Sequence, residues 1–87
     1  MTLQEGARGL VITWLPVEDM ALLSLGVALG TEGRRVLTAL LEGRPVYLAE
    51  GALEYKRYRQ TAGRDIYTKF TGLERGLREL GIRRLYP

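Results

Sequence analysis

The residues best placed to do chemistry are arginines and carboxylates set beside glycines. Gly30-Thr31-Glu32-Gly33-Arg34-Arg35 offers glycines for close approach, a hydroxyl at Thr31, and two guanidiniums at Arg34 and Arg35. Free N–H groups at a helix start, with arginines beside them, can hold an anion. Two arginines in a first helical turn also oppose the helix dipole, so their position asks for a reason. Against the anion reading, Glu32 would repel a phosphate and no Lys-Ser/Thr follows, as it would in a P-loop.

Glu18 and Asp19 form a second candidate, just after an apolar run ending at Leu15. Carboxylates beyond the carboxyl end of a strand in an open α/β sheet can act as bases or bind sugar-type hydroxyls. They also stabilise the positive end of a helix dipole, and that ordinary role is the stronger reading. Trp14, at the same strand end, offers a ring for stacking, although a partly buried core tryptophan is the stronger reading. A third group is Tyr55, Lys56, Arg57, Tyr58, Arg59 and Arg64. Tyrosines beside cations can stack single-stranded nucleic acid, but a solvated helix face with its tyrosines turned inward is the preferred reading.

Composition narrows the chemistry. The chain has 87 residues, with no cysteine and no histidine. Thiolate nucleophiles, disulfides and imidazole acid–base chemistry are therefore out, and a zinc site would have to be all carboxylate. Lys and Arg total 13 and Asp and Glu 10, a net +3 with the two signs interleaved. That is mild for a dedicated nucleic-acid domain. No apolar run approaches the roughly 20 residues of a membrane span. Met1 to Gly6 lacks the basic-then-apolar pattern of a secretory signal, so a cytoplasmic location is expected.

These residues need elements to position them. Residues 1–8 are polar and aperiodic, and are expected to be a loose lead-in to a single domain over residues 9–87. Gly9 to Leu15 is a continuous β-prone run suited to a strand buried on both faces, ended by Pro16. A first helix is expected from Val17 to Leu29, apolar nearly all round, with Gly26 inside it for close backbone packing. After a break, Thr31 would cap a second helix with Val36, Leu37, Leu40 and Leu41 on one face. Gly43 and Pro45 end it and deliver the chain into a strand, Val46 to Ala49. A basic helix over residues 52–60 follows. The last helix is then capped by Asp65 and striped by Ile66, Phe70, Leu73, Leu77 and Leu80. Gly81 and Ile82 close that helix, and Ile82 to Leu85 make a final short strand.

The expected fold is thus α/β: a small two- or three-layer β-α-β-α-β unit with a parallel sheet and right-handed crossovers, about half of a Rossmann-like doubly wound domain. Half a sheet with buried-type strands leaves apolar surface uncovered. Its free edge and one of its faces are the expected contact surfaces, taken by a second copy or by a missing N-terminal half.

From Val11 to Ala49 the sequence resembles the flavoprotein family of homo-oligomeric flavin-containing cysteine decarboxylases. Within it, the chain looks most like the flavoprotein-like proteins of ethanolamine-utilisation microcompartments. Members have a strand, a Pro-x-Thr-x-Asn-Thr-x-Ala-type turn into a helix, Ala-x-Gly-Ile-x-Asp, a second helix, and a strand introduced by Gly-Lys-Pro-Val. Here the order reads VITWLPVEDMALLSLGVALG and then RRVLTALLEGRPVYLAE, and LEYKRYRQTAGRDIYTKFTGLERGLRELGIRRL fits the closing helix and strand. The likeness covers the later half of the family's domain, without its Gly-rich phosphate-binding opening. Ser24, Gly26, Gly43, Pro45 and Val46 match. Trp14 stands in the family's proline position, Glu18 and Asp19 in the Asn-Thr positions, and Leu29 in that of the aspartate. The resemblance implies FMN as cofactor and a site drawn from Trp14, Glu18, Asp19, Ser24, Gly26, Thr31, Arg34 and Arg35. It also implies a homo-oligomer, and a microcompartment setting within the cytoplasm. With histidine and cysteine absent, the leading expectation is a degenerate domain that acts by association and does little catalysis alone. An FMN-binding enzyme subunit is the alternative, and a nucleic-acid module the third reading.

Overall fold

A computed structural model describes residues 1–85, so the last two residues of the expected domain lie outside the described residues. The protein is α/β. A four-stranded mixed sheet in the order β1-β2-β3-β4 is built from β1 (Thr2–Gly6), β2 (Gly9–Trp14), β3 (Val46–Leu48) and β4 (Arg83–Arg84). The helices are α1 (Val17–Ser24), α2 (Gly30–Leu41) and α3 (Arg64–Glu79). β2, β3 and β4 are parallel neighbours, and β3 and β4 are each reached through a helical crossover, as the chain pattern demands.

The first difference lies at the start. Residues 2–6, expected as a loose lead-in, form β1 and pair antiparallel with β2, from Thr2 opposite Trp14 to Gly6 opposite Gly9. The sheet is therefore mixed, with an antiparallel hairpin on the edge of a parallel core. Gly9 allows the hairpin to meet β3. A Cβ there would lie 2.4 Å from the Pro45 carbonyl oxygen, the same oxygen that accepts the Leu10 N–H at 3.0 Å.

Strand alternation sorts the sheet into two faces. Leu10, Ile12, Val46 and Leu48 point to one face and join Met20, Leu23, Val36, Ala39, Leu77 and Ile82 in a single core. Each large side chain buried there contributes roughly 1.5–3 kcal/mol. Val11 and Tyr47, on the opposite face, are half-buried and do not pack on that core. Successive right-handed crossovers in one direction put every helix on the same side of a sheet. The domain therefore has two layers.

All three helices end alike. Gly26, Gly43 and Gly81 have φ of 76°, 74° and 104°. Each donates its N–H three residues back, and the next residue donates five back: Val27 to Leu22, Arg44 to Ala39, Ile82 to Leu77. This Schellman closure needs a left-handed residue, which glycine supplies without steric cost. It corrects the first helix, which stops at Ser24 and leaves Gly26 outside. Leu25 (76% exposed), Val27 and Leu29 consequently form an exposed loop rather than a buried helical face.

Other boundaries shift for local reasons. Thr31 lies in the first turn of α2, whose N-cap is Leu29, and Asp65 lies in the first turn of α3, whose N-cap is Gly63. Residues 52–60 keep only a 3-10 turn over Glu54–Tyr58, because the segment is spent on tertiary bonds. Leu15 N–H donates to Ala52 O (2.7 Å), Glu54 N–H to Leu15 O (3.1 Å), and Glu54 Oε1 accepts the Val17 N–H at the start of α1 (2.9 Å). Of the expected stripes, Leu73, Phe70 and Leu77 do face the core, while Leu41, Ile66 and Leu80 are exposed.

Candidate functional site

Two charged constellations stand out, one at each side of the helical layer. The first lies beyond the carboxyl ends of β3 and β4. A cleft of about 540 Å³ is bordered there by Leu48, Glu50, Leu53, Lys56, Glu74 and Arg84. α3 carries Glu74 into it, the 3-10 turn carries Lys56, and β4 carries Arg84; Tyr55, from the same turn, reaches Glu74 from the neighbouring aromatic cavity. The Tyr55 hydroxyl donates to Glu74 Oε1, while Lys56 Nζ (3.6 Å) and Arg84 Nη2 (3.4 Å) approach Oε2. The Tyr55 ring packs on Tyr67 and Phe70, at centroid distances of 5.2 and 5.7 Å.

Glu74 is only 7% exposed. Burial pushes its carboxyl pKa up, but the Tyr55 hydroxyl, Lys56 and Arg84 together outweigh that and hold it below the ordinary glutamate value. Burial, and then the adjacent Glu74 carboxylate, push the Tyr55 phenol well above its ordinary range. An acid that stays ionised and a phenol that stays protonated exchange no protons near neutrality. Among the described residues no buried side-chain polar atom lacks a hydrogen-bond partner. This constellation is a closed knot that ties the 3-10 turn, α3 and β4 together.

The second constellation is open. A groove of about 580 Å³ runs between α2 and the β1–β2 hairpin. Gly30, Thr31, Arg34, Arg35 and Thr38 of α2 line it, with Arg44 from the turn into β3 and Glu5 from β1. Arg35 Nη2 reaches Glu5 Oε1 at 3.1 Å, and Arg44 Nη2 reaches Glu5 Oε2 at 3.5 Å. Arg35 also meets Glu32 at 3.5 Å. Arg34 lines the same groove with no ion pair among the described residues. α2 begins at Gly30, so its first turn carries Glu32, and Arg34 and Arg35 lie in the second turn rather than the first; Arg35 is drawn to Glu5 across the groove on β1.

The eight site residues named from the sequence do not converge. Thr31, Arg34 and Arg35 share the groove. Trp14 is half-buried at the end of β2, with the Arg57 guanidinium 4.4 Å from its ring centroid, so one face is already stacked. Glu18 is exposed in the first turn of α1, whereas Asp19 is buried with its carboxylate 3.2 Å from the Met1 amine. Ser24 ends α1, donates to the Ala21 carbonyl at 2.8 Å and lies against Gly76 of α3. Gly26 is in the turn beyond it.

The basic aromatic patch is also divided: Tyr55 is buried, Lys56 is committed to Glu74 and Arg57 to Trp14. A separate apolar cavity of about 240 Å³ is walled by Val17, Tyr58, Ile66, Tyr67 and Phe70. Among the described residues, no cluster of three or more His, Cys, Asp or Glu could hold a metal, and no helix is long and apolar enough to cross a membrane.

Sequence reading missed Glu5, Thr38 and Arg44 as groove residues, and the Tyr55–Glu74 pair. The pairs lie 39 residues apart for Arg44–Glu5 and 19 for Tyr55–Glu74. No local spacing signals either. No protein-family model matches the chain, and neither the curated proteins nor the solved structures contain a significant match to it.

Proposed function

We propose that this chain is an association module, which works by packing against a second copy of itself rather than by catalysis on its own. The observation that supports this reading is the bare face of the sheet. Gln4, Val11, Thr13 and Tyr47 lie on the side away from the single core, with no helical layer over them among the described residues. β1 presents a free edge, TLQEG, without proline or lysine, although an irregularity between Thr2 and Leu3 and the charge of Glu5 temper it. The edge of β2 is already hydrogen-bonded to β1, so a further parallel half-domain could not pair with β2. That favours a second copy over a missing half as the occupant.

The likeness at Val11 to Ala49 supplies the finer proposal, a flavoprotein-like module serving in an ethanolamine-utilisation microcompartment. FMN binding has less behind it. The aromatic cavity of about 240 Å³ is below the roughly 300 Å³ at which ligand pockets begin. Trp14 already carries Arg57 on one face. A titration of FMN fluorescence against the protein separates the two readings. Light scattering on a Val11→Lys/Tyr47→Lys variant tests the first. The wild type is expected as an oligomer and the variant as a monomer with unchanged helical circular dichroism. Equal masses for the two proteins would sink the proposal.

A further inference from the structure

We propose that the groove between α2 and the β1–β2 hairpin binds a small phosphorylated ligand carrying at least two negative charges, with Glu5 as the internal anion that the ligand displaces. The inference stands on the groove alone and is independent of self-association. Arg35 comes from the middle of α2 and Arg44 from the turn that follows it, yet their guanidiniums converge on the two oxygens of one carboxylate, at 3.1 and 3.5 Å. The fold therefore already builds a two-arginine receptor for an oxyanion. Glu5 occupies it loosely: its side chain is 55% exposed, on an edge strand, and exposed ion pairs of this kind contribute little.

Arg34 extends the receptor by a third guanidinium, with no ion pair of its own among the described residues. Thr31 and Thr38 add hydroxyl donors along the same wall. Three guanidiniums against two carboxylates, Glu5 and Glu32, leave the cluster net positive. A dianionic phosphate offers more oxygens than Glu5 and can be held by forked guanidinium contacts. The volume of about 580 Å³ lies within the roughly 300–1,000 Å³ typical of small-ligand pockets. A concave site of that size suits a phosphorylated small molecule better than an extended acidic chain. Glu5 then sets a threshold, because weak monoanions such as chloride cannot replace it.

The test is a titration of the isotope-labelled protein with inorganic pyrophosphate, followed by amide shifts, with sodium chloride at matched ionic strength as reference. Saturable shifts at Thr31, Arg34 and Arg44 are expected with pyrophosphate and not with chloride. Arg35→Ala/Arg44→Ala should weaken binding by about tenfold or more, the loss of at least one charge-assisted pair. Arg35→Lys/Arg44→Lys should recover only part of it, since lysine lacks the fork. Glu5→Gln should tighten binding several-fold, because the competitor is gone. All these residues are exposed, so thermal midpoints should stay close to wild type, and a loss of binding then reads as a loss of contacts. Absence of saturable shifts up to about 10 mM pyrophosphate, a Kd weaker than any useful site, would overturn the proposal. So would a double alanine variant that binds like wild type, or a Glu5→Gln variant that binds more weakly.

Discussion

Glu74 and Glu5 have the same partners on paper and opposite roles in the molecule. Each carboxylate sits between two cations, Lys56 and Arg84 for Glu74, Arg35 and Arg44 for Glu5. Glu74 is buried and also accepts the Tyr55 hydroxyl, whereas Glu5 is more than half exposed and has no neutral donor among the described residues. A buried carboxylate cannot trade its partners for water, so losing one leaves an uncompensated group in a dry site. An exposed one trades partners freely. Charge count does not separate structure from binding in this chain; access to water does.

The change with the largest expected effect attacks the frame that both regions hang on. Gly9→Ala drives a Cβ into the Pro45 carbonyl, at the junction of the hairpin that carries Glu5 and the strand that leads towards the Glu74 cleft. Overpacking and a disfavoured φ together should cost about 3 kcal/mol or more, measured by urea denaturation. A smaller loss would mean that the hairpin and β3 are only loosely joined.

Glu74→Ala comes next. It strips the acceptor from a buried phenol and should destabilise by about 2 kcal/mol. Glu5→Ala, in the same assay, should change stability by no more than about 0.5–1 kcal/mol. Equal effects from the two alanines would break the comparison.

Proton linkage sharpens it further. The folded pKa of Glu74 is lowered, so its contribution is present above the ordinary value of 4.5 and is lost as pH falls through the folded value. The Tyr55 pKa is raised, so its contribution is present below the ordinary value of 10.0 and is lost as pH climbs towards the folded value. Thermal melts from pH 3 to pH 11 should show both losses in the wild type. The Glu74→Gln variant should show a shallower acid limb, and the Tyr55→Phe variant a shallower alkaline limb.

Much of the architecture was legible in the chain because its signals are local. Gly43 with Pro45, and Gly81 with Ile82, announced helix closures, and the Val46 run announced a buried parallel strand. β1 escaped notice because T-L-Q-E-G carries one large apolar side chain, Leu3, and owes its strand state to its pairing with β2. Leu25, Val27 and Leu29 continue the apolar pattern of the first helix in the sequence, yet Leu25 caps it and Gly26 closes it. Thr31, Arg34 and Arg35 were found as one group because they share a helix. Their counterparts Glu5 and Arg44 were not, since only the folded sheet brings β1 beside α2. The eight-residue cofactor site implied by the family likeness is scattered, and what remains together is Thr31, Arg34 and Arg35.

The uncovered sheet face is the third region, neither knotted like Glu74 nor concave like the groove, and the proposed function rests on it. Sedimentation equilibrium over a wide concentration range measures its consequence directly. The account predicts an average mass that rises from the 9.8 kDa chain towards at least about twice that value, as closed two-fold pairs are the commonest assembly. A mass that stays at the monomer value across the whole range would contradict it.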